Sequence, residues 1–429
     1  MKVQKTSHIN PFGGINFVIE EFDRLKIGSI LNENLPALPT QTKYNWRDLL
    51  YSFWSIFFCG GDCIEDLSTN LNQSLSKIPN LNLPSPDSIL KRMKELSLPS
   101  EIYDTPKGTK KHEFSINESL NRLNLKIVKS NLKKEKSPLV LDYDNTLIFT
   151  KKSDAKMTYK KHFGYTPGVG IIGKNVVYVE NRNGNSDAQT LQQDTLERMF
   201  KLLKSEGVSV DVFRADGASY QLSTLLVVQK YVNKFFIKAR MSHPLYKAIQ
   251  QISEWKEVTL SGQKVLRGST TFVPFEKTMI KTHQQHLLTN SCRLVVTKVL
   301  RDDGQIDIFS NEAYNYHAFI TNDYEMSEDQ VVCYYNQRGA IEKEFDVLKN
   351  DFGWNNMPFS KLEQNTVFLL LTSLCRNLYN HIITAFSAKY KNLSPLFRLK
   401  KFIFRFICIP ATWIKKYKTW KLILYGDIP

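Results

Sequence analysis

Cysteine is scarce in this sequence: there are six, at 59, 63, 292, 333, 375 and 408. Cys59 and Cys63 have no second such pair to complete a zinc site, and nothing suggests a disulfide framework, so a reducing cytoplasmic compartment is expected. The N-terminal MKVQKTSHINPFGG has no apolar run of a signal peptide. The greasiest late stretches are broken by Arg376, Asn377 and Arg405 before reaching a membrane-spanning length, so neither export nor a membrane span is expected. Gly at 19 and Pro at 16 are too few for a fibrous or low-complexity chain, and 42% hydrophobic residues place it among folded proteins. Acid is the charge in short supply. Against 42 Asp and Glu stand 58 Lys and Arg, a net +16, which points to a polyanionic partner, because neutralised phosphates release counterions. A chain of 429 residues has material for two or three domains.

Apolar spacing divides the chain. Residues 1–104 read as helical: Phe17, Val18, Phe22 and Leu25 recur at helical intervals, and Trp46 to Phe58 is dense and apolar before Gly60-Gly61. Ser85 as N-cap and Pro86 as first helical residue open another helix, decorated by Lys91, Arg92 and Lys94 as a DNA-recognition helix is. Residues 105–137, rich in Lys, Asn, Ser and Glu, read as an exposed basic connector. From 138 to 240, strand-like runs at Pro138–Phe149, Asn175–Glu180, Val208–Phe213 and Phe235–Lys238 alternate with helical patterns at Ala188–Lys204 and Ser219–Val232, which predicts an α/β sheet layer. Residues 241–325 alternate in period two around Gly turns, a β-rich block. Residues 326–388 carry one helix from about Glu328 to Phe352 and an apolar one from Thr366 to Phe386. In the tail, 389–429, nine Lys or Arg from Tyr390 onward face one acid, Asp427.

Chemistry-bearing residues collect in two places. On the helix, Tyr335, Arg338, Glu342 and Lys349 fall within roughly 60° of arc. Ile341, Phe345, Leu348 and Phe352 form an adjoining apolar stripe that docks the helix on a sheet. In the strand LVLDYDNTL, Asp142, Asp144 and Thr146 share one face and Leu139, Leu141 and Tyr143 the other. A carboxylate inside an apolar strand is costly unless it is paired or holds a cation. Asp216 ends the strand VSVDVFRAD and is followed by Gly217, at a sheet end where α/β sites form. Three carboxylates from two strands and a helix make an all-oxygen set suited to Mg²⁺ or Mn²⁺. Two such ions can activate a hydroxyl on one side of a phosphodiester and stabilise the leaving oxygen on the other.

The pieces Asp144-Asn145-Thr146, Arg214-Ala215-Asp216-Gly217 and Tyr335-x2-Arg338-x3-Glu342-x6-Lys349 resemble the Asp, Asp and Glu motifs of bacterial insertion-sequence transposases of the DDE class, in the subgroup with a Tyr, Arg, Glu, Lys signature. Gly13-Gly14, the Ser85-Pro86-Asp87-Ser88 helix start, the Gly164-Tyr165-x-Pro167 turn and the basic tail extend the likeness over nearly the whole chain. The resemblance implies a ribonuclease-H-like core interrupted by a β-rich insertion at 241–325. It implies Asp144, Asp216 and Glu342 as the ligands of two metal ions; Asp142, on the same strand face two residues before Asp144, is a candidate supporting partner. Tyr335, Arg338 and Lys349 would grip phosphates at a transposon end, Arg as a planar fork and Lys as a point charge. Double-stranded DNA and a homodimer joining two ends are the partners it implies, with end recognition by the helical N-terminal region and phosphate contacts from the tail.

Trp255 in the insertion is a candidate for stacking on an unpaired base, although such a Trp is more often packed in a core. His162, His283 and His286 are read as loop or surface residues, because a magnesium site prefers oxygens. Two other classes stay open. LVLDYDNTL also resembles the opening motif of haloacid-dehalogenase-type phosphatases, with Asp142 as nucleophile, Asp144 as general acid and base, and Thr321 and Asp302-Asp303 as nominees for later motifs, though RDDGQ reads better as a hairpin turn. The third class is a DNA-binding protein with a repurposed core.

Overall fold

The computed structural model describes residues 9–104, 109–133, 138–260, 263–283, 291–301, 304–306 and 313–426. Among them one mixed sheet runs through eleven strands, in the order Glu101–Asp104, Lys111–Ser115, Asn175–Arg182, Gly168–Ile172, Val140–Asn145, Val212–Ala215, Lys234–Ala239, Tyr314–Thr321, Cys292–Leu300, Gln263–Phe272 and Lys256–Leu260. At its centre Val140–Asn145 lies parallel to Val212–Ala215, which lies parallel to Lys234–Ala239. On the other side Val140–Asn145 pairs antiparallel with Gly168–Ile172, and that strand with Asn175–Arg182. Parallel neighbours need crossovers, and the helices Gln192–Ser205 and Leu222–Tyr231 supply them.

Both faces of this sheet are covered, so its strands are apolar on both sides. Val177 and Tyr178 pack into the layer of the crossover helices, with Leu196, Phe200 and Leu225. Val176 and Val179 turn to the opposite layer, where Leu362–Ser387 runs as a helix buried nearly all round. The helices Ile15–Arg24, Ile27–Asn34, Trp46–Phe58 and Pro86–Glu95 join that same core, and the Trp54 indole donates to the Leu371 carbonyl at 3.0 Å. The N-terminal helices therefore share a core with the sheet's own layer. Among the described residues no helix is long and apolar enough to cross a membrane, and all six cysteines are free.

Two expectations are corrected, the connector and the single late helix, and two others gain detail. The basic connector 105–137 contains the strand Lys111–Ser115 and the helix Glu118–Leu132, capped by Asn117 and burying Leu120, Leu123 and Val128; its lysines lie on the outer side of an amphipathic helix, while Asn121 and Asn124 are buried and bond to the Val179 and Val176 backbone (residues 105–108 and 134–137 lie outside the described residues). The β-rich block 241–325 is continuous with the main sheet, because Tyr314–Thr321 pairs antiparallel with Lys234–Ala239, and it also holds the helices His243–Ile249 and Glu276–Lys281. The tail carries a β-hairpin, Ala411–Lys416 with Thr419–Leu424, anchored where Asn10 bridges to Ala411. Gly13 and Gly14 permit this anchoring: a Cβ on Gly14 would lie 2.0 Å from the Phe406 carbonyl oxygen. The single helix expected from Glu328 to Phe352 is two, Glu328–Asn336 and Ala340–Asp351, joined by a 3₁₀ turn at Gln337–Gly339. Gly339, a poor helix former, sits at the junction.

Candidate functional site

The alternation of LVLDYDN does what its pattern requires: Leu141 and Tyr143 are buried in the crossover-helix layer, while Asp142 and Asp144 take the other face. Parallel register sets Asp142 beside Arg214. The pair is bidentate, Arg214 Nε to Asp142 Oδ1 and Nη2 to Oδ2 both at 2.7 Å, and Asp142 is only 6% exposed. Burial pushes the Asp142 carboxyl up, and the guanidinium pulls it back. Arg214 Nη1 also donates to the Tyr334 carbonyl at 2.7 Å, so one side chain ties both acidic strands to the helix Glu328–Asn336. The sequence displayed Arg214 within its motif without disclosing this role; the signal was an arginine on the same strand face as Asp216, two residues away.

Asp216 follows the end of Val212–Ala215 and caps the 3₁₀ turn Gly217–Ser219, its Oδ1 accepting the Ala218 N–H at 2.9 Å. Asp144 lies close enough to feel it. Burial first and the Asp216 charge second raise the Asp144 carboxyl to about 6, against the opposing pull of Arg338 and of the Asn145 N–H. Arg338 Nη1 donates to Asp144 Oδ2 at 3.0 Å, and its Nη2 lies 3.7 Å from Glu342 Oε1. Glu342 has a 70% exposed side chain. Arg338 thus stands between the strand carboxylates and the helix carboxylate. The three carboxylates do not close to within 4.8 Å of one another in this conformation; among the described residues only Asp62, Cys63 and Asp66 make so tight a group, on a loop where Asp66 Oδ2 accepts two backbone N–H groups.

The remaining candidates are spread out. Tyr335 does not stand on an open stripe with Arg338: it is 6% exposed, its ring 4.5 Å from that of Phe319, and the Arg338 guanidinium lies 5.8 Å from its centroid. The broken helix turns it into the core, where burial raises its phenol, so it backs Arg338 and leaves little surface for a phosphate. Ile341, Phe345, Leu348 and Phe352 are buried as the apolar stripe requires. Lys349 is half-buried near the end of Ala340–Asp351, and burial lowers its ammonium. Trp255 is half-buried beside the edge strand, with Lys298 Nζ 4.4 Å from its ring centroid. Trp255 packs against Gly268 and Lys298, and three strand spacings separate the Lys298 strand from Val212–Ala215, roughly 14 Å, so Trp255 is not beside the carboxylates.

His162 is exposed against the Phe149 ring at 5.1 Å, and His283 follows a short helix with a φ of 54°. His286, Asp302 and Asp303 lie outside the described residues. The phosphatase reading loses its nucleophile, because both oxygens of Asp142 are engaged by Arg214, and Thr321 is buried with its hydroxyl accepting the Asp323 N–H. Two arginines that no motif singled out also bear on the site. Arg293 reaches Glu328 at 2.5 Å and Arg267 bonds Asp329, so two strands of the 241–325 block grip the first turn of the helix that leads to Arg338.

A mixed α/β sheet with aspartates at the ends of adjacent parallel strands, and a glutamate on a helix across an arginine from them, defines an acidic site of hard oxygen donors. Residues 13–429 match the family model described as Transposase DDE domain, group 1. The chain belongs to that family and is a DNA transposase of the DDE class. No curated protein matches the sequence. Among solved structures it is similar to a piggyBac transposase synaptic complex with hairpin DNA, at 12% identity and TM-score 0.40 over 92% of this chain and 79% of that one. It is similar also to the Mos1 mariner paired end complex with Mn, at 12% identity and TM-score 0.18 over 50% of this chain and 65% of that one.

Proposed function

We propose that this chain binds the terminal inverted repeats of its own insertion sequence as a homodimer, and catalyses metal-dependent strand cleavage and strand transfer from a ribonuclease-H-like core. In that reading the core is the five central strands, three antiparallel and two parallel, in the order Asn175–Arg182, Gly168–Ile172, Val140–Asn145, Val212–Ala215, Lys234–Ala239. The observation that carries it is geometric: Asp144 and Asp216 stand at the ends of adjacent parallel strands, and Arg338 spans from Asp144 at 3.0 Å to Glu342 at 3.7 Å, while burial and the Asp216 charge raise the Asp144 carboxyl to about 6. A buried carboxylate whose ionisation is opposed by burial and by a neighbouring charge is stabilised by a cation beside it. The donor set fits the group: Asp144, Asp216 and Glu342 offer only carboxylate oxygens, and they would hold Mg²⁺ or Mn²⁺, whose chemistry is to neutralise phosphate charge and favour ionisation of the attacking hydroxyl.

The chain's own residues do the rest. Arg214 fixes Asp142 and so keeps the Asp144 strand, the Asp216 strand and the helix Glu328–Asn336 in one register. Arg338 neutralises Asp144 when DNA is away, and its fork suits a phosphate when DNA arrives. Glu342, exposed on its helix, would complete the set from the solvent side once the helix moves in. The attacking hydroxyl loses its proton as the P–O bond forms, and the leaving oxygen gains one as its bond breaks. The net +16 supplies sequence-independent grip on the duplex, with Lys415, Lys416, Lys418 and Lys421 of the C-terminal hairpin among the contributors.

The test is incubation of the full chain with labelled DNA carrying both borders of its gene, with Mg²⁺, with EDTA, and with Glu342→Ala in parallel. Breaks at a pair of inverted repeats that need both metal and Glu342 are expected. Binding without any metal-dependent break identifies a DNA-binding protein with a repurposed core.

A further inference from the structure

The C-terminal hairpin, Ala411–Lys416 with Thr419–Leu424, reaches away from the body that anchors it. Antiparallel partners share a face, so Trp413, Lys415 and Trp420 point to one side, and Ile414, Lys416 and Lys421 to the other. Its root is fixed. A Cβ on Gly13 would stand 2.5 Å from the Ala411 Cβ, the Trp413 indole donates to Asn16 Oδ1 at 3.0 Å, and the Tyr425 N–H donates to the Pro410 carbonyl at 2.8 Å. Beyond that root the cover ends. Every residue from Ile414 to Lys421 is exposed, whichever face it takes, so the outer half is an arm open on both sides.

The arm is cationic on both faces. Lys415 shares the first with Trp420, its Nζ 5.6 Å from that ring's centroid; Lys416 and Lys421 share the second, and Lys418 stands in the turn between the strands. No acid lies between Ala411 and Gly426. The turn itself departs from the usual pattern. Tyr417 is 90% exposed with a φ of 57°, in the left-handed region where two-residue hairpin turns ordinarily carry Asn or Gly. A tyrosine is thus held at the tip against the preference of its own backbone, the kind of strain that gathers at binding sites.

Lysines on one face would suit a flat anionic surface, or a single strand with its one line of phosphates. Lysines on both faces suit a slot with two negative walls, as a duplex groove has. A second copy of the arm would bring lysine against lysine. The dimensions agree with a groove. Two strands about 4.8 Å apart make, with their side chains, a ribbon roughly 10 Å across, and the reach from Ile414 to the tip is also roughly 10 Å. The major groove is about 12 Å wide and about 8.5 Å deep, whereas the minor groove, about 6 Å wide, is too narrow. We propose that this hairpin enters the major groove of duplex DNA tip first, with Lys415 toward one phosphate wall, Lys416 and Lys421 toward the other, and Tyr417 and Lys418 on the base edges. That the duplex is DNA rests on the transposase reading above; that the arm takes a groove goes beyond it and rests on register and exposure.

The experiment uses the full chain in EDTA on labelled duplexes from both borders of its gene, footprinted with dimethyl sulfate, which methylates guanine N7 in the major groove. The unaltered chain is expected to shield guanines that Tyr417→Asn with Lys418→Gln leaves open, with the thermal melt unchanged or raised because Asn suits the left-handed turn. Lys415→Gln, Lys416→Gln and Lys421→Gln together are expected to lower the slope of log affinity against log salt by about three. Guanines shielded alike by the tip variant, or a salt slope unmoved by the triple variant, would overturn the proposal. So would unchanged duplex binding in the triple variant together with a lower sedimenting mass, which would make the arm a contact between two copies of the chain. If the unaltered chain cuts no DNA with Mg²⁺ yet shields guanines through the tip, the functional reading falls and this one stands. Metal-dependent cutting with shielding indifferent to the tip sustains the functional reading and overturns this one.

Discussion

Asp144 and Asp216 stand at the ends of sheet-interior strands, locked by register and by the Asp142–Arg214 pair, whereas Glu342 rides on an exposed helix entered through a 3₁₀ turn. The strand half is set by backbone pairing that cannot shift without moving the core. The helix half can adjust, since Arg338 and Glu342 sit at and just beyond the Gln337–Gly339 break, and the first turn of the preceding helix is gripped by Arg293 and Arg267. Such a division lets a site be preorganised on one side and close on the other when substrate and cation arrive.

The sharpest way to break this contrast is to remove one carboxylate from each half. Asp144→Asn and Glu342→Ala are both expected to lower metal-dependent cutting by roughly a thousandfold. Their thermal melts separate the halves: Glu342→Ala, on an exposed position, is expected to stay within about 0.5 kcal/mol of the unaltered chain. Next in size is Arg214→Ala, which strands a buried Asp142 and is expected to cost about 3–5 kcal/mol in denaturant unfolding. Asp142→Leu combined with Arg214→Met should recover most of that stability while still losing cutting, because the tie to the Tyr334 carbonyl goes with the guanidinium.

Acid sharpens the contrast further. The Asp144 carboxyl titrates near 6 when folded, above its ordinary 3.8, so the folded state binds this proton more tightly than the unfolded chain does. Its stabilising contribution is full below pH 3.8 and is lost as pH rises through about 6, a difference of about 3 kcal/mol. Metal-free melts of Asp144→Asn and the unaltered chain, compared from pH 7 down to 4, are expected to show the unaltered chain gaining stability relative to the variant. The smallest effect expected is that of Gly339→Ala, where a Cβ meets nothing within 4 Å: a gain of up to about 1 kcal/mol in stability, with slower cutting if the helix half must flex.

Much of the site was legible because its signals are local. Period-two alternation put Asp142 and Asp144 on one face, Gly217 marked the strand end at Asp216, and the spacing of Ile341, Phe345 and Leu348 showed which side of the Glu342 helix is buried. What stayed hidden depends on partners distant in sequence. The Asp142–Arg214 pair follows from a register between strands joined through a crossover helix. Tyr335 left its expected stripe because the helix breaks at Gln337–Gly339, a turn marked in the sequence by Gly339 and by the lack of an apolar residue at 338. The helix Glu118–Leu132 was hidden by composition: its Lys and Asn face outward or bond across layers, as Asn121 does to the Val179 backbone, while Leu120, Leu123 and Ile127 keep helical spacing.

The central claim is that Asp144, Asp216 and Glu342 together hold divalent cations, and the most direct measurement is Mn²⁺ binding to the DNA-free chain, read from the paramagnetic resonance of free Mn²⁺. Bound Mn²⁺ is expected to vanish in the Asp144→Asn, Asp216→Asn pair, to weaken in Glu342→Gln, and to be unaffected by Asp66→Asn in the tight acidic loop group. Mn²⁺ bound as well by the Asp144→Asn, Asp216→Asn chain as by the unaltered one would contradict the account.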